Sequence, residues 1–295
     1  MMTTTDEVKE LLSEPKFRIK LYDYVQDKAS SAISSTAGED FSLNVPLTPE
    51  AITSRLRRYE EVTSDLISAM TLIGFWGSSD HLKSATLPFK KFSAQFPPTL
   101  SGGWVSLQSY PLIILMYSLG IGAIAANNYD LLYGFFQSPM NTPSQGSGED
   151  PLILAIRPQI QSVIELLKKL PDRQKQRTPL SEYLFEFFKG RIINTIPLEG
   201  NEYEAVFDRF ELFFVLQLAH ESQRNRQNHI SGPFGRFAWK YGGGAIESAF
   251  GQLRSEALRA NSSWPPLKSG FFGGLSKRFI EITELYELAL QNLHW

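Results

Sequence analysis

The chain contains no cysteine and only four histidines. The first absence excludes disulfides, thiolate-bound zinc, iron–sulfur clusters and a thiol nucleophile. The second leaves little from which to build a histidine metal site. His220 and His229 stand nine apart, where a zinc-binding pair on one helical face stands four apart, and His81 and His294 are isolated. Neither a metal nor another cofactor is expected. A Gly-x-Ser-x-Gly elbow, a Walker phosphate loop, a paired-aspartate cluster and the kinase signatures are also missing. Nor is there an excess of either charge. The 29 Lys and Arg against 31 Asp and Glu leave −2, which excludes a generally basic nucleic-acid binder but not a local patch. The opening MMTTTDEVKELLSEP is acidic and lacks an apolar stretch, so no secretory signal is read there and a cytoplasmic protein is expected.

Charge is scarcest in the middle. Between Lys91 and Glu149 the only Asp, Glu, Lys or Arg is Asp130. Such a stretch is buried, is loop, or is an interface. Its most apolar part, PLIILMYSLGIGAIAA (111–126), admits three readings. As a membrane span it is short and lacks a Lys/Arg cluster on either flank. As a dinucleotide fingerprint, Gly120-x-Gly122-x-x-Ala125 has no alternating strands and helices around it. As a core helix, Gly120, Gly122, Ala123 and Ala126 would let neighbours approach closely, and this reading is preferred; no membrane association is expected. The tract SPMNTPSQGSGEDP (138–151) reads as a flexible loop. The expected organisation is an N-terminal helical segment (1–47), a helical region around the apolar helix (48–137), the loop (138–150) and a C-terminal helical region (151–295).

Helical periodicity dominates elsewhere. Thr48-Pro49 supplies an N-cap and a first-turn proline. Ile52, Leu56, Tyr59, Val62, Leu66, Met70 and Ile73 then step by three or four, with Gly74 or Gly77 as the stop. Pro111 is a less clear start, because Tyr110 separates it from Ser109. Thr178-Pro179 repeats the capping device, and Asn201 is expected to cap the helix that carries a stripe of Phe207, Phe210, Phe214, Leu216 and Leu218. Helices are also expected over 245–260 and 276–293. Only 153–160 could be a strand. The fold class is all-α, a bundle of about eight to ten helices without a substantial sheet or internal repeat. The acidic pairs Glu60-Glu61 and Glu202/Glu204 are expected to be solvated.

Two windows of the C-terminal region hold no acid: 222–246, with Arg236 and Lys240, and 257–280, with Lys277 and Arg278. Each carries a glycine- and aromatic-rich turn before a helix, at 232–244 with Gly242, Gly243 and Gly244, and at 268–278. Backbone N–H groups and these cations are candidates for a phosphate or carboxylate, and Phe237 and Trp239, with Phe234 and Tyr241, for stacking on a base. The competing reading is tight helix connections with wet basic side chains. KKLPDRQKQR (168–177) reads as a solvated loop.

The blocks RLRRYEEVTSDLISAMTLIGFWG, SYPLIILMYSLGIGAIAANNYDLL, YEAVFDRFELFFVLQLA, GRFAW and FFGG resemble a helical module of bacterial phage-defence and conflict proteins. That module accompanies sirtuin-like or Toll/interleukin-receptor-like effector domains, and the likeness covers about residues 48–280. It implies a sensing, regulatory or scaffold role. The first 47 residues are too few for an effector, and no catalytic residue is carried over. The expected function is a non-enzymatic interaction or regulatory subunit of an antiviral defence-type system, with a protein partner or a second copy of itself. The alternatives are a nucleotide- or nucleic-acid-binding module using the two turns, or a helix-bundle enzyme with dispersed carboxylates.

Overall fold

The computed structural model describes residues 4–96, 102–141, 149–224, 235–240 and 248–291. These fold as an all-α protein of sixteen helical segments: α1 (Thr4–Ser13), α2 (Arg18–Ser35), α3 (Pro49–Val62), α4 (Ser64–Trp76), α5 (Leu82–Ser93), α6 (Gly103–Leu107), α7 (Tyr110–Ala125), α8 (Tyr129–Phe136), α9 (Leu152–Ala155), α10 (Arg157–Leu167), α11 (Pro179–Thr195), α12 (Tyr203–Arg224), α13 (Phe237–Lys240), α14 (Ala249–Ala260), α15 (Pro265–Lys268) and α16 (Ser276–Gln291). Twelve of them have eight residues or more, somewhat above the expected eight to ten. One reason lies at Thr63, where the helix expected to run on from Pro49 divides into α3 and α4. The Thr63 hydroxyl bonds back to Tyr59 O at 2.6 Å, and a fresh helical ladder begins behind it. The start of α3 follows its sequence signal, with Thr48 Oγ1 accepting from Ala51 N at 3.2 Å. Thr178 also precedes a helix, α11, but its hydroxyl is buried with no partner among the described residues and does not cap.

Residues 153–160 are not a strand. Ile153, Ile156, Ile160, Val163 and Leu167 recur every three or four positions and are buried along α9 and α10, so helical burial decides the conformation. The strands among the described residues are β1 (Pro139–Asn141) and β2 (Glu149–Pro151), paired antiparallel from Pro139↔Pro151 to Asn141↔Glu149. They close the two ends of the tract read as a loop; residues 142–148 lie outside the described residues.

The centre is α7, in which every residue from Tyr110 to Ile124 is buried. With α6 before it the apolar run is long enough to cross a membrane, yet 94% of its apolar window lies inside the protein. Its principal partner is α4. Gly74 of α4 lies against Leu119 O and Gly122 of α7 against Thr71 O, so closely that a Cβ on either would overlap a backbone carbonyl. Gly77, not Gly74, ends α4. On another side, Gly120 receives the ring of Phe210, which brings α12 onto the central helix.

Candidate functional site

Placing α12 against α7 buries nearly its whole circumference. From Phe207 to Ser222 only Arg209 escapes, so polar side chains on every face of this stretch have left water. Glu204, Asp208 and Glu211 follow at intervals of four and three, which sets three carboxylates along one face. A buried carboxylate survives only with partners. They come from α13 and the residue before it, with Arg236 and Lys240 themselves four apart. Lys240 Nζ bonds Asp208 Oδ2 at 2.7 Å and pairs with Glu204. Arg236 Nη2 reaches Glu204 at 3.3 Å, its Nε faces Asp208 at 4.0 Å, and its guanidinium lies 3.4 Å over the ring of Phe185. The Lys240 bond holds the Glu204 carboxyl below its ordinary range, whereas burial pushes that of Asp208 up against the pull of Lys240.

Glu211 is different, because among the described residues no cation side chain bonds it. Tyr117 Oη of α7 donates to its Oε1 at 2.9 Å, and Ser181 Oγ of α11 donates to Oε2 at 2.8 Å. The Arg236 backbone N–H is shared between Ser181 Oγ at 2.8 Å and Glu211 Oε2 at 3.2 Å. Gly235 lies so close that a Cβ there would overlap the carboxylate. Burial drives the Glu211 carboxyl up to about 8, with the Ser181 bond opposing and the charge of Asp208 adding to the rise. At neutral pH it therefore holds a proton, and the cluster balances as two carboxylates against two cations.

Two more buried carboxylates are satisfied by the chain itself. Glu221, further along α12, accepts from Gln137 at 2.8 Å, Gln217 at 2.9 Å and Arg224 at 3.3 Å. Glu60 of α3 accepts the hydroxyls of Tyr110 at 2.8 Å and Tyr183 at 2.7 Å, and burial pushes its carboxyl up. This corrects the expectation that Glu60 is solvated; Glu61, one position on, is exposed.

The remaining candidates are placed as follows. Arg278 is divided among His220 Nδ1 at 3.2 Å, Gln223 at 2.6 Å and Glu281 at 3.1 Å, while Lys277 is exposed, 4.0 Å from Glu281. Burial, helped by Arg278 and Arg224, lowers the His220 imidazole to about 4. In the 268–278 turn, Phe271 and Phe272 are buried and Phe272 N donates to Gln217 Oε1 at 3.0 Å, so this N–H serves the protein itself. Phe237 is buried with its ring 6.3 Å from Tyr286, and Trp239 is partly exposed with Nε1 bonded to Glu182 at 2.8 Å. Gly242, Gly243 and Gly244, with Phe234, Tyr241, His229 and His294, lie outside the described residues. The structure thus joins Arg236 and Lys240 in one cluster and sets Lys277 and Arg278 in another.

Compared with known proteins, the chain matches no family model, no curated protein and no solved structure. Among the described residues no group of three His, Asp or Glu is arranged to hold a metal ion. A cleft of about 1070 Å³ lies elsewhere, between α3 and the turn at 170–172. Its lining mixes Arg55, Arg57 and Arg58 with Glu50, Glu61 and Asp172. Sequence reasoning passed over Asp208 and Glu211 and misplaced Glu60, yet two of the three left a trace. Glu211 sits four after Phe207 and three before Phe214, and Glu60 four after Leu56, so both acids fall in line with an apolar stripe.

Proposed function

We propose that this chain is a non-enzymatic helical interaction or regulatory subunit that works through a protein partner or a second copy of itself. The observation that carries this reading is the division of labour between inside and outside. Inside, the buried carboxylates of Glu60, Asp208, Glu211 and Glu221 are met by the chain's own hydroxyls, amides and cations. Outside, Ile19, Leu258, Leu275 and Leu288 stand between 56% and 72% exposed, joined by Trp76 and Leu285. Leu285 and Leu288 are three apart on α16, on the face opposite the buried Tyr286 and Leu290. Large apolar side chains kept in water along a helix are what a protein partner covers. A bacterial antiviral defence-type system, proposed on the likeness of the sequence blocks alone, and a cytoplasmic setting away from the membrane, proposed on the acidic opening residues and the enclosed apolar helix, complete the reading. The nucleotide-binding alternative draws less support, since Arg236, Lys240 and Arg278 are engaged by the chain's own acceptors.

Size-exclusion chromatography with light scattering on the purified chain is the direct test. A dimer, or a complex with a co-purifying protein, that dissociates in Leu285→Asp and Leu288→Asp variants is expected. A strict monomer with no partner, unaltered by those changes, overturns the proposal.

A further inference from the structure

We propose that residues 235–240 form a strap whose docking onto α12 requires a proton on Glu211, so that the strap loosens as the solution becomes alkaline. The geometry carries this in three parts. First, the strap brings two cations to a face bearing three carboxylates, and both cations are directed at Glu204 and Asp208. To Glu211 it offers only the Arg236 backbone N–H. Ionised Glu211 therefore leaves one uncompensated charge in the interior, and protonated Glu211 leaves none. Second, Gly235 stands directly on Glu211 Oε2, so docking of the strap is what shuts water away from this carboxyl. Third, two of the three groups that hold Glu211 are hydroxyls, of Tyr117 and Ser181, which accept as readily as they donate. One of these hydroxyls turns to accept from the protonated acid, its own hydrogen then pointing away from Glu211, a smaller cost than an uncompensated buried charge.

The ionisable groups around Glu211 are Tyr117 from α7, Asp208 and Tyr203 from α12, Arg236 from the strap and Tyr286 from α16, while α11 offers only the non-titrating Ser181 hydroxyl. Burial pushes all three tyrosines up, so they stay neutral throughout the range that matters. Docked, the Glu211 carboxyl stands near 8; uncovered, it returns towards the ordinary carboxylate range. The docked state therefore binds the proton more tightly. Docking is strongest in acid as far as this group is concerned, and weakens with rising pH until the docked value is passed.

Hydrogen exchange of the full chain, read by mass spectrometry between pH 6 and 9 and corrected for the chemical exchange rate, tests the inference. Opening of the 235–240 amides is expected to increase about tenfold per pH unit and to level off near pH 8, with the core amides of α12 unchanged. In Glu211→Gln the opening becomes independent of pH. In Tyr117→Phe, which removes a donor to the ionised form, the levelling moves to higher pH. Wild-type opening that ignores pH overturns the strap, as does the same rise in Glu211→Gln. Should Glu211→Gln fail to fold, an unmoved profile in Tyr117→Phe does so as well.

Discussion

A carboxylic acid taken out of water keeps its place only through the groups that face it, and single atoms decide the outcome here. Glu60 accepts two tyrosine hydroxyls. Removing one by Tyr183→Phe is expected to cost about 1–2 kcal/mol in urea unfolding and to drive the Glu60 carboxyl further up. Glycine gives a paired test. Gly122→Ala sets a methyl against the Thr71 carbonyl, where no rotamer relieves it, and about 3 kcal/mol is expected to be lost as α4 and α7 separate. Gly190→Ala, in exposed mid-helix with nothing near its Cβ, is expected to gain about 1 kcal/mol. Equal losses at both positions would show that close approach is not what Gly122 provides. At this scale the sequence was a partial guide. Arg236 and Lys240 stood out as clustered cations, but the acids that occupy them lie some 30 residues away, and spacing along the chain does not report which helices come together.

Elements were more legible, because a cap and a period are written within a few residues. Thr48 illustrates this, and Thr48→Ala is expected to cost about 1 kcal/mol in thermal or urea unfolding through loss of the bond to Ala51 N. The same substitution at Thr178, whose hydroxyl makes no such bond, is expected to have the smaller effect. Two features escaped periodicity. The α3–α4 break leaves the apolar spacing intact, since Val62 and Leu66 carry the pattern across Thr63, whose side chain bonds backwards. The run at 153–160 is apolar enough for either state, and only its burial against the bundle selects the helix.

For the molecule as a whole, two buried groups bound the pH range of stability from opposite sides. Glu211 is raised on folding, so its contribution is complete below the unfolded carboxylate range and is lost as pH rises through about 8. His220 is lowered, so its contribution is present above the ordinary imidazole value and is lost as pH falls towards 4. Urea midpoints from pH 4 to 9 are expected to fall at both ends. Glu211→Gln is expected to flatten the alkaline limb and His220→Gln the acid one; an alkaline limb untouched by the first change removes Glu211 from the account. The all-α class was evident from composition and period, whereas the buried polar groups came into view only with the assembled bundle. The enclosure of α7 has a bearing on synthesis. As the polypeptide leaves the ribosome, this wholly apolar helix emerges well before Phe210, the residue whose ring closes over Gly120, has been translated. α4, already made, can cover one side, but until then the side that meets α12 stays bare, which makes the interval between these two segments the natural point for a chaperone to act.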